Sequence, residues 1–230
     1  MVINEKKLIA ESLNQISFDK SLMITSLVEV SYGRSKEIRD NLDIKELTGR
    51  DMGIRFVDMD AYMRLNIDGG RRGPNYPDAL MINALKTQIS DPKNIYIAIK
   101  PDVNESSLIH EIAHAMDYLS GSGITPAFAH ALALEFFIPL EHLEHTREFG
   151  YWFDYLINTF SVVPDAEDTI IYLLYKNNML IKGEDIKKQN REFLKKKSND
   201  IIKFLSENSQ KIHSIIKDLP GYIAKDNWAK

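Results

Sequence analysis

The sequence of 230 residues contains no cysteine. That absence excludes disulfide-stabilised scaffolds, cysteine-liganded zinc fingers and enzymes with a thiol nucleophile. A metal ion would therefore have to be bound by histidine, aspartate or glutamate side chains. The sequence also lacks any run of about 18 uncharged apolar residues, the length that a transmembrane helix requires, so no membrane-spanning segment is expected.

An excess of positive charge is missing as well. The net charge is −4, which argues against a nucleic-acid-binding protein. Residues 181–230 are the exception, with 12 Lys and Arg against 7 Asp and Glu, as expected for the solvated face of a lysine-rich helix. We therefore expect a domain over residues 1–180 and a basic helical extension over residues 181–230, packed on the domain or appended to it.

The first residues, MVINEKK, do not form the apolar segment that is typical of a secretory signal peptide. The expected location is the cytoplasm. The alternative is export by a route that needs no N-terminal signal, as for bacterial effector toxins.

Hydrophobic periodicity predicts strands and helices in the first half of the chain and helices alone in the second half. Strands are expected at 23–32, 54–59 and 94–100, and the last of these (NIYIAIK) is apolar on both faces. Residues 68–77 are rich in glycine and proline and predict a loop. The expected helices are 5–17, 35–49, 104–120, 126–137, 146–160, one beginning at 164–165, and further helices from 184 to about 219. This order indicates the α+β class.

Residues 110–114 read His-Glu-Ile-Ala-His within the helix predicted at 104–120. Residues four apart lie on the same face of a helix, so the imidazoles of His110 and His114 can reach one ion. Two neutral imidazoles suit Zn²⁺, and a catalytic zinc site needs a third protein ligand and an open position for water. Glu111 is placed to act as the general base on that water and to pass the proton on to a leaving amine.

The third ligand is not fixed by this motif. The continuation HExxHxxGxxH, found in metzincins, is excluded because Asp117 and Ser120 stand where its glycine and histidine would be. Glu148 is the first choice, because a carboxylate in an aromatic-rich and therefore buried helix needs a partner. The other candidates are Glu135, Glu141, Glu144, His130, His142 and His145.

Two supporting roles are also expected around the motif. Asp117 is a candidate to accept the distal N–H of a ligand histidine, since it lies one turn after His114. A tyrosine phenol would stabilise the oxyanion, with Tyr151 and Tyr155 as the candidates chosen and Tyr118 as an alternative.

The sequence resembles the zincin metallopeptidases of the glutamate-liganded branch. Residues 110–117 (HEIAHAMD), together with Glu148, Phe149 and Phe153, are similar to the family of the anthrax lethal factor catalytic domain and the bacterial Pro-Pro endopeptidases. The resemblance covers roughly residues 94–160. It implies a zincin-like fold, with a small twisted sheet packed on the active-site helix and a mostly helical second half.

The resemblance also implies a Zn²⁺ site with His110, His114 and Glu148 as ligands, and an extended peptide paired with an edge strand, for which 94–100 is one candidate. The family places a catalytic tyrosine seven residues before the ligand glutamate, where this sequence has Glu141.

The function expected from the sequence is a zinc-dependent endopeptidase that acts on a peptide or protein substrate, with neither nucleic acid nor membrane as a partner. The alternative is a zincin-like regulatory or binding module with little or no proteolytic activity.

Overall fold

A small mixed β-sheet and twelve α-helices make up the fold over residues 18–67 and 77–222, the parts of the chain that the computed structural model describes. The strands are β1 (Gly53–Asp58), β2 (Ala79–Met81) and β3 (Asn94–Ile99). The helices are α1 (Phe18–Thr25), α2 (Ser35–Asn41), α3 (Ile44–Thr48), α4 (Met59–Arg64), α5 (Glu105–Ser120), α6 (Pro126–Phe136), α7 (Glu141–Glu144), α8 (Arg147–Phe160), α9 (Ala166–Lys176), α10 (Gly183–Lys187), α11 (Arg191–Glu207) and α12 (Ser209–Ile216), with a 3₁₀ turn at Ala84–Lys86. This confirms the predicted α+β class.

The sheet has the strand order β1-β3-β2. Strand β1 runs parallel to β3, and Phe56 lies opposite Ile97. Strand β2 runs antiparallel to β3, and Leu80 lies opposite Ala98. Strand β3 is therefore the central strand, and β2 is an edge strand.

The two faces of β3 face two different apolar clusters, as its sequence predicts. Ile97 belongs to the main core with α5, and Tyr96 belongs to a smaller cluster with Ile24 of α1 and Tyr62 of α4. A strand buried on both faces requires apolar residues at consecutive positions rather than in alternation. The strand at 94–100, which was one candidate for the edge that pairs with a substrate, is therefore the central strand, and β2 lies at an edge.

Helix α5 lies in the interior, between the sheet and α8. Asn104 begins it, because its side chain accepts a hydrogen bond from the N–H of Ser107. Its apolar side chains are buried on most sides. His110, Glu111 and His114 are only half-buried, because they face a cavity beside the sheet edge.

Local structure departs from the sequence-based expectation at two places. Residues 23–32 do not form a strand: α1 covers the first part, and only Glu29 makes an isolated bridge to Val57. Ile24 of α1 is buried in the smaller apolar cluster, and this tertiary packing outweighs the weak β propensity of the segment. The single helix predicted at 35–49 is split, because Asp43 caps a new helix by accepting from the N–H of Glu46.

The remaining predicted helices are confirmed within one or two residues at α5, α6, α8 and α9. The helix predicted at 5–17 and most of the loop predicted at 68–77 lie outside the described residues. The carboxyl-terminal helices pack on the main core through Ile186, Leu194 and Ile201. Among the helices of the described ranges, none is both long enough and apolar enough to cross a membrane.

Candidate metal centre

Three histidines converge beside the sheet edge: His110, His114 and His145. The Nε2 atom of His110 lies 3.1 Å from Nε2 of His114 and 3.3 Å from Nε2 of His145. The potential ligand atoms of the three side chains all lie within 4.8 Å of one another. These three histidines could hold a metal ion.

Two neighbouring parts of the fold supply these side chains. His110 and His114 are one helical turn apart on α5. His145 stands between α7 and α8, directly before Thr146, whose hydroxyl caps α8 by accepting from the N–H of Phe149. Because α5 packs against α8 over much of its length, the start of α8 is held close to the histidines of α5.

Two of the three distances between the imidazole nitrogens agree with binding of one ion. Two ligands at about 2.0–2.1 Å from a tetrahedral zinc ion are about 3.3 Å apart. The two Nε2 separations from His110 match that value. Without an ion, these three side chains alone cannot give every one of the converging imidazole nitrogens a suitable hydrogen-bond partner.

The hydrogen bond of His145 fixes the tautomer that a ligand requires. Its Nδ1 lies 3.2 Å from the carbonyl oxygen of Glu141, and a carbonyl can only accept. Nδ1 must therefore carry the proton, which leaves the lone pair of Nε2 free to bind a metal.

The pKa values of the three histidines differ because of their surroundings. Burial lowers the pKa of His110, but the hydrogen bond and the negative charge of Asp168 outweigh it and raise the pKa to about 9. Burial, followed by the positive charge of His110, lowers the pKa of His114 and of His145 well below the usual value. In the metal-free protein the cluster therefore holds its proton on His110.

Glu111 lies in the same cavity and is anchored to the edge strand. Its Oε2 accepts a hydrogen bond of 2.6 Å from the backbone N–H of Met81 in β2. Burial raises the pKa of Glu111, while the positive charge of His110 and the Met81 hydrogen bond act in the opposite direction. The carboxylate is thus placed next to the histidines without being one of the three converging side chains.

The cavity has a volume of about 210 Å³. One wall is apolar and includes Leu80, Ile124 and Ala129. Glu144 also lines the cavity, and burial raises its pKa to about 7. The space beside the histidines therefore combines an apolar wall with titratable groups, as substrate sites commonly do.

The structure does not bring Glu148 to the cluster, which corrects the expected ligand set. Its Oε2 accepts from the N–H of Gly183 at 2.9 Å, and the side chain lines a separate pocket with Arg147. The reason is the rotation of α8: Phe149 takes the position that faces the histidines, with its ring centroid 4.4 Å from that of His114. Glu148 is one residue earlier and points about 100° away around the helix.

Asp117 does not contact a histidine nitrogen either, which corrects its predicted supporting role. Its carboxylate accepts from the backbone N–H and the hydroxyl of Ser122 and from the hydroxyl of Thr146. These bonds fix the end of α5 and the start of α8. The carboxylate that does contact a histidine is Asp168 of α9, whose Oδ1 lies 2.6 Å from Nδ1 of His110.

No tyrosine lines the cavity among the described residues. Tyr151 is 53% exposed and lines the pocket of Glu148, and the ring of Tyr155 packs against Trp152. Tyr118 donates to Gln88 at 3.5 Å. The expectation that Tyr151 or Tyr155 stabilises the oxyanion is therefore not met by this arrangement.

The other candidate ligands lie outside the cluster. His142 pairs with the hydroxyl of Ser198 at 2.8 Å, and His130 is exposed on α6. Glu135 and Glu141 are not among the residues that line the cavity. Among the alternative third ligands, His145 is thus the one whose side chain converges with those of His110 and His114. Asp168 was missed, because a carboxylate 58 residues from His110 gives no local spacing signal.

The chain matches no protein-family model, no curated protein and no solved structure with which it was compared. The functional argument therefore depends on the geometry of this site and on the motif that builds it.

Proposed function

We propose that the protein is a zinc-dependent endopeptidase in which His110, His114 and His145 bind the metal and Glu111 is the general base. The observation that carries the proposal is the convergence of three imidazole nitrogens beside the carboxylate of the His-Glu-Ile-Ala-His motif. Three protein ligands that leave one position open are typical of catalytic zinc sites, whereas structural sites are closed by four.

When bound, the zinc ion would polarise a peptide carbonyl and lower the pKa of a water molecule to about 7. Glu111 takes a proton from that water while the water oxygen attacks the carbonyl carbon. The carboxylic acid so formed then gives the proton to the amine nitrogen as the C–N bond breaks. The Met81 hydrogen bond holds one oxygen of the Glu111 carboxylate, Oε2, and so fixes the position of the carboxylate at the cavity.

The edge strand β2 offers a place for the substrate main chain. Leu80 pairs with Ala98 of β3, so the backbone polar groups of Ala79 and Met81 point away from the sheet. The N–H of Met81 already points to Glu111. A peptide laid along β2 would form main-chain hydrogen bonds at this edge, with the scissile bond at the histidines.

This arrangement supports a zincin-like fold as part of the proposal, with the sheet packed on the helix that carries the motif. It differs from the glutamate-liganded branch in the third ligand, which we assign to His145 instead of Glu148. With a histidine in place of a glutamate as the third ligand, the site carries one negative charge fewer. The positive charge at the metal is then greater, which favours binding of a carbonyl oxygen.

One observation favours the second candidate function, a regulatory or binding module with little proteolytic activity. The described residues that line the cavity include no tyrosine, lysine or arginine that would stabilise an oxyanion. Removal of one oxyanion-stabilising donor lowers kcat by about 10²–10³-fold in peptidases that use one. A site without such a donor would still bind metal and peptide but would cleave slowly.

The test combines metal analysis with one substitution. We expect about one zinc per chain in the purified protein, and cleavage of members of a peptide library. Glu111→Gln should retain the zinc and lower the cleavage rate by about 10²–10⁴-fold, the usual effect of removing a general base. The matched control is Glu135→Gln on α6. It should leave the zinc content and the cleavage rate unchanged, because Glu135 does not line the cavity.

Three other results separate the alternatives. Zinc without cleavage of any library member would favour the binding module. Absence of zinc would refute the metal site. Full activity of Glu111→Gln would refute the proposed general base.

A further inference from the structure

We propose that Asp168 is a positioning residue that holds His110 in the orientation and tautomer needed to bind the metal. This inference rests on the proposed zinc site. Asp168 lies in the first turn of α9, and its side chain is 6% exposed. Its Oδ1 is 2.6 Å from Nδ1 of His110, on the side of the ring away from the metal-facing Nε2.

A closed set of hydrogen bonds holds the Asp168 carboxylate in place. The hydroxyl of Ser106 on α5 donates to Oδ2 of Asp168 and accepts from the backbone N–H of Asp165 at 3.0 Å. The backbone N–H of Asp168 donates to the side chain of Asp165 at 2.9 Å. Both oxygens of Asp168 therefore have fixed partners, and the carboxylate has little freedom to turn away from His110.

The contact determines which nitrogen of His110 carries the proton. An ionised carboxylate can only accept a hydrogen bond, so Nδ1 is the donor, and once His110 has lost its second proton the lone pair is on Nε2. That lone pair points to the spot shared with His114 and His145. A carboxylate behind a ligand histidine also makes the imidazole a stronger ligand, and its loss commonly costs 10–100-fold in metal affinity.

The same contact joins the metal site to the docking of α9. Ser106 and His110 are one turn apart on α5, and both bond to Asp168. Any shift of the first turn of α9 therefore moves the group that supports His110. Metal binding and the docking of this helix should consequently favour each other.

The experiment compares zinc affinity and cobalt spectra in three variants of the full chain. Asp168→Asn removes the obligatory acceptor but keeps the shape of the side chain. Ser106→Ala removes one support of the carboxylate and leaves its contact with His110. Asp154→Asn is the matched control, because Asp154 pairs with Lys176 at the other end of α9 and touches no histidine.

At a pH above 9, where His110 is neutral and no proton competes with the metal, we expect Asp168→Asn to weaken zinc binding by about 10–100-fold and to change the visible absorption bands of the Co²⁺-substituted protein. Ser106→Ala should weaken zinc binding by a smaller factor. Asp154→Asn should lower the melting temperature of the metal-free protein without changing either metal readout. A loss that is merely structural would appear equally in Asp154→Asn.

Wild-type zinc affinity and cobalt spectrum in a folded Asp168→Asn protein would overturn the proposal. If Asp168→Asn does not fold, the Ser106→Ala variant provides the test. A zinc affinity of Ser106→Ala equal to that of Asp154→Asn would overturn the proposal. Zinc binding that depends on Asp168 in a protein that cleaves nothing would support this inference while refuting the peptidase activity. A wild-type chain that binds no zinc would refute both.

Discussion

The carboxylate of Glu111 accepts a hydrogen bond of 2.6 Å from the backbone N–H of Met81. This bond ties a side chain of the motif helix α5 to the edge strand β2. The group proposed to move the proton and the strand proposed to hold the substrate are therefore in direct contact. Their relative position is set by the packing of the sheet on α5 and by this hydrogen bond.

We expect Glu111→Asp to retain zinc but to lose most of its activity. Shortening the side chain by one methylene withdraws the carboxylate from Met81 and from the water it must deprotonate. A displacement of about 1 Å from productive geometry costs about 10²-fold in rate. Steady-state kinetics should show the loss in kcat, with zinc content measured on the same sample. Activity within threefold of the wild type would show that the Met81 contact has no role in positioning the base.

A second prediction distinguishes the histidine from the glutamate as third ligand. His145→Ala should weaken zinc binding by about 10²-fold or more, since a structural zinc site of four ligands contributes about 10–16 kcal/mol in total. Glu148→Ala should leave the zinc affinity unchanged, because its carboxylate bonds to Gly183 instead. Competition titration with a chromophoric chelator measures both. The reverse result would restore Glu148 as the ligand and show that α8 is turned differently.

Much of the site could be predicted from the sequence because its first part is local. The spacing of His110 and His114, on a helix predicted at 104–120, follows from short-range rules and agrees with the structure. The third ligand depends on the rotation of α8, which the packing of Phe149 against the histidines decides. An apolar contact of this kind is not visible in the spacing of the charged residues.

The fold, like the site, could be predicted where it depends on residues close in sequence but not where it depends on contacts between distant parts of the chain. The apolar run of β3 correctly indicated a strand buried on both faces, but only the pairing with β1 and β2 shows that it is central. The strand predicted at 23–32 was wrong for the opposite reason: the local pattern indicated a strand, but non-local packing decided the structure. Residues with strand propensity form α1 there, because packing of Ile24 in the smaller apolar cluster outweighs a preference worth about 1 kcal/mol or less.

Removal of the metal should destabilise the protein. The three histidines belong to α5 and to the junction of α7 and α8, so an ion joins parts of the chain 31 residues apart. With free zinc at about 1,000 times its Kd, the free energy of unfolding should rise by about 4 kcal/mol. Thermal unfolding with added zinc and with chelator measures the difference. His145→Ala should show much less stabilisation and His130→Ala the full effect, since His130 is exposed on α6. Equal melting temperatures with and without zinc would contradict the site.

Zinc binding should release a proton from His110. The pKa of His110 is about 9 in the metal-free protein, so at pH 7.5 its imidazole is almost fully protonated and the metal has to displace that proton. His114 and His145 release none, because their pKa values lie well below the usual value. Displacement of the His110 proton should therefore contribute about a tenfold rise in zinc affinity per pH unit between pH 7 and 9, and this contribution should level off above that range; ionisation of the zinc-bound water adds to it.

Calorimetric titrations in buffers of different ionisation enthalpy count the protons directly. We expect about one more proton released per zinc at pH 7.5 than at pH 10, where His110 is already neutral. In Asp168→Asn the pKa of His110 should fall, since the group that raises it has lost its charge, and the number released at pH 7.5 should fall with it. An affinity that does not change between pH 7 and 9 would show that His110 is neutral in the metal-free protein or does not bind the metal.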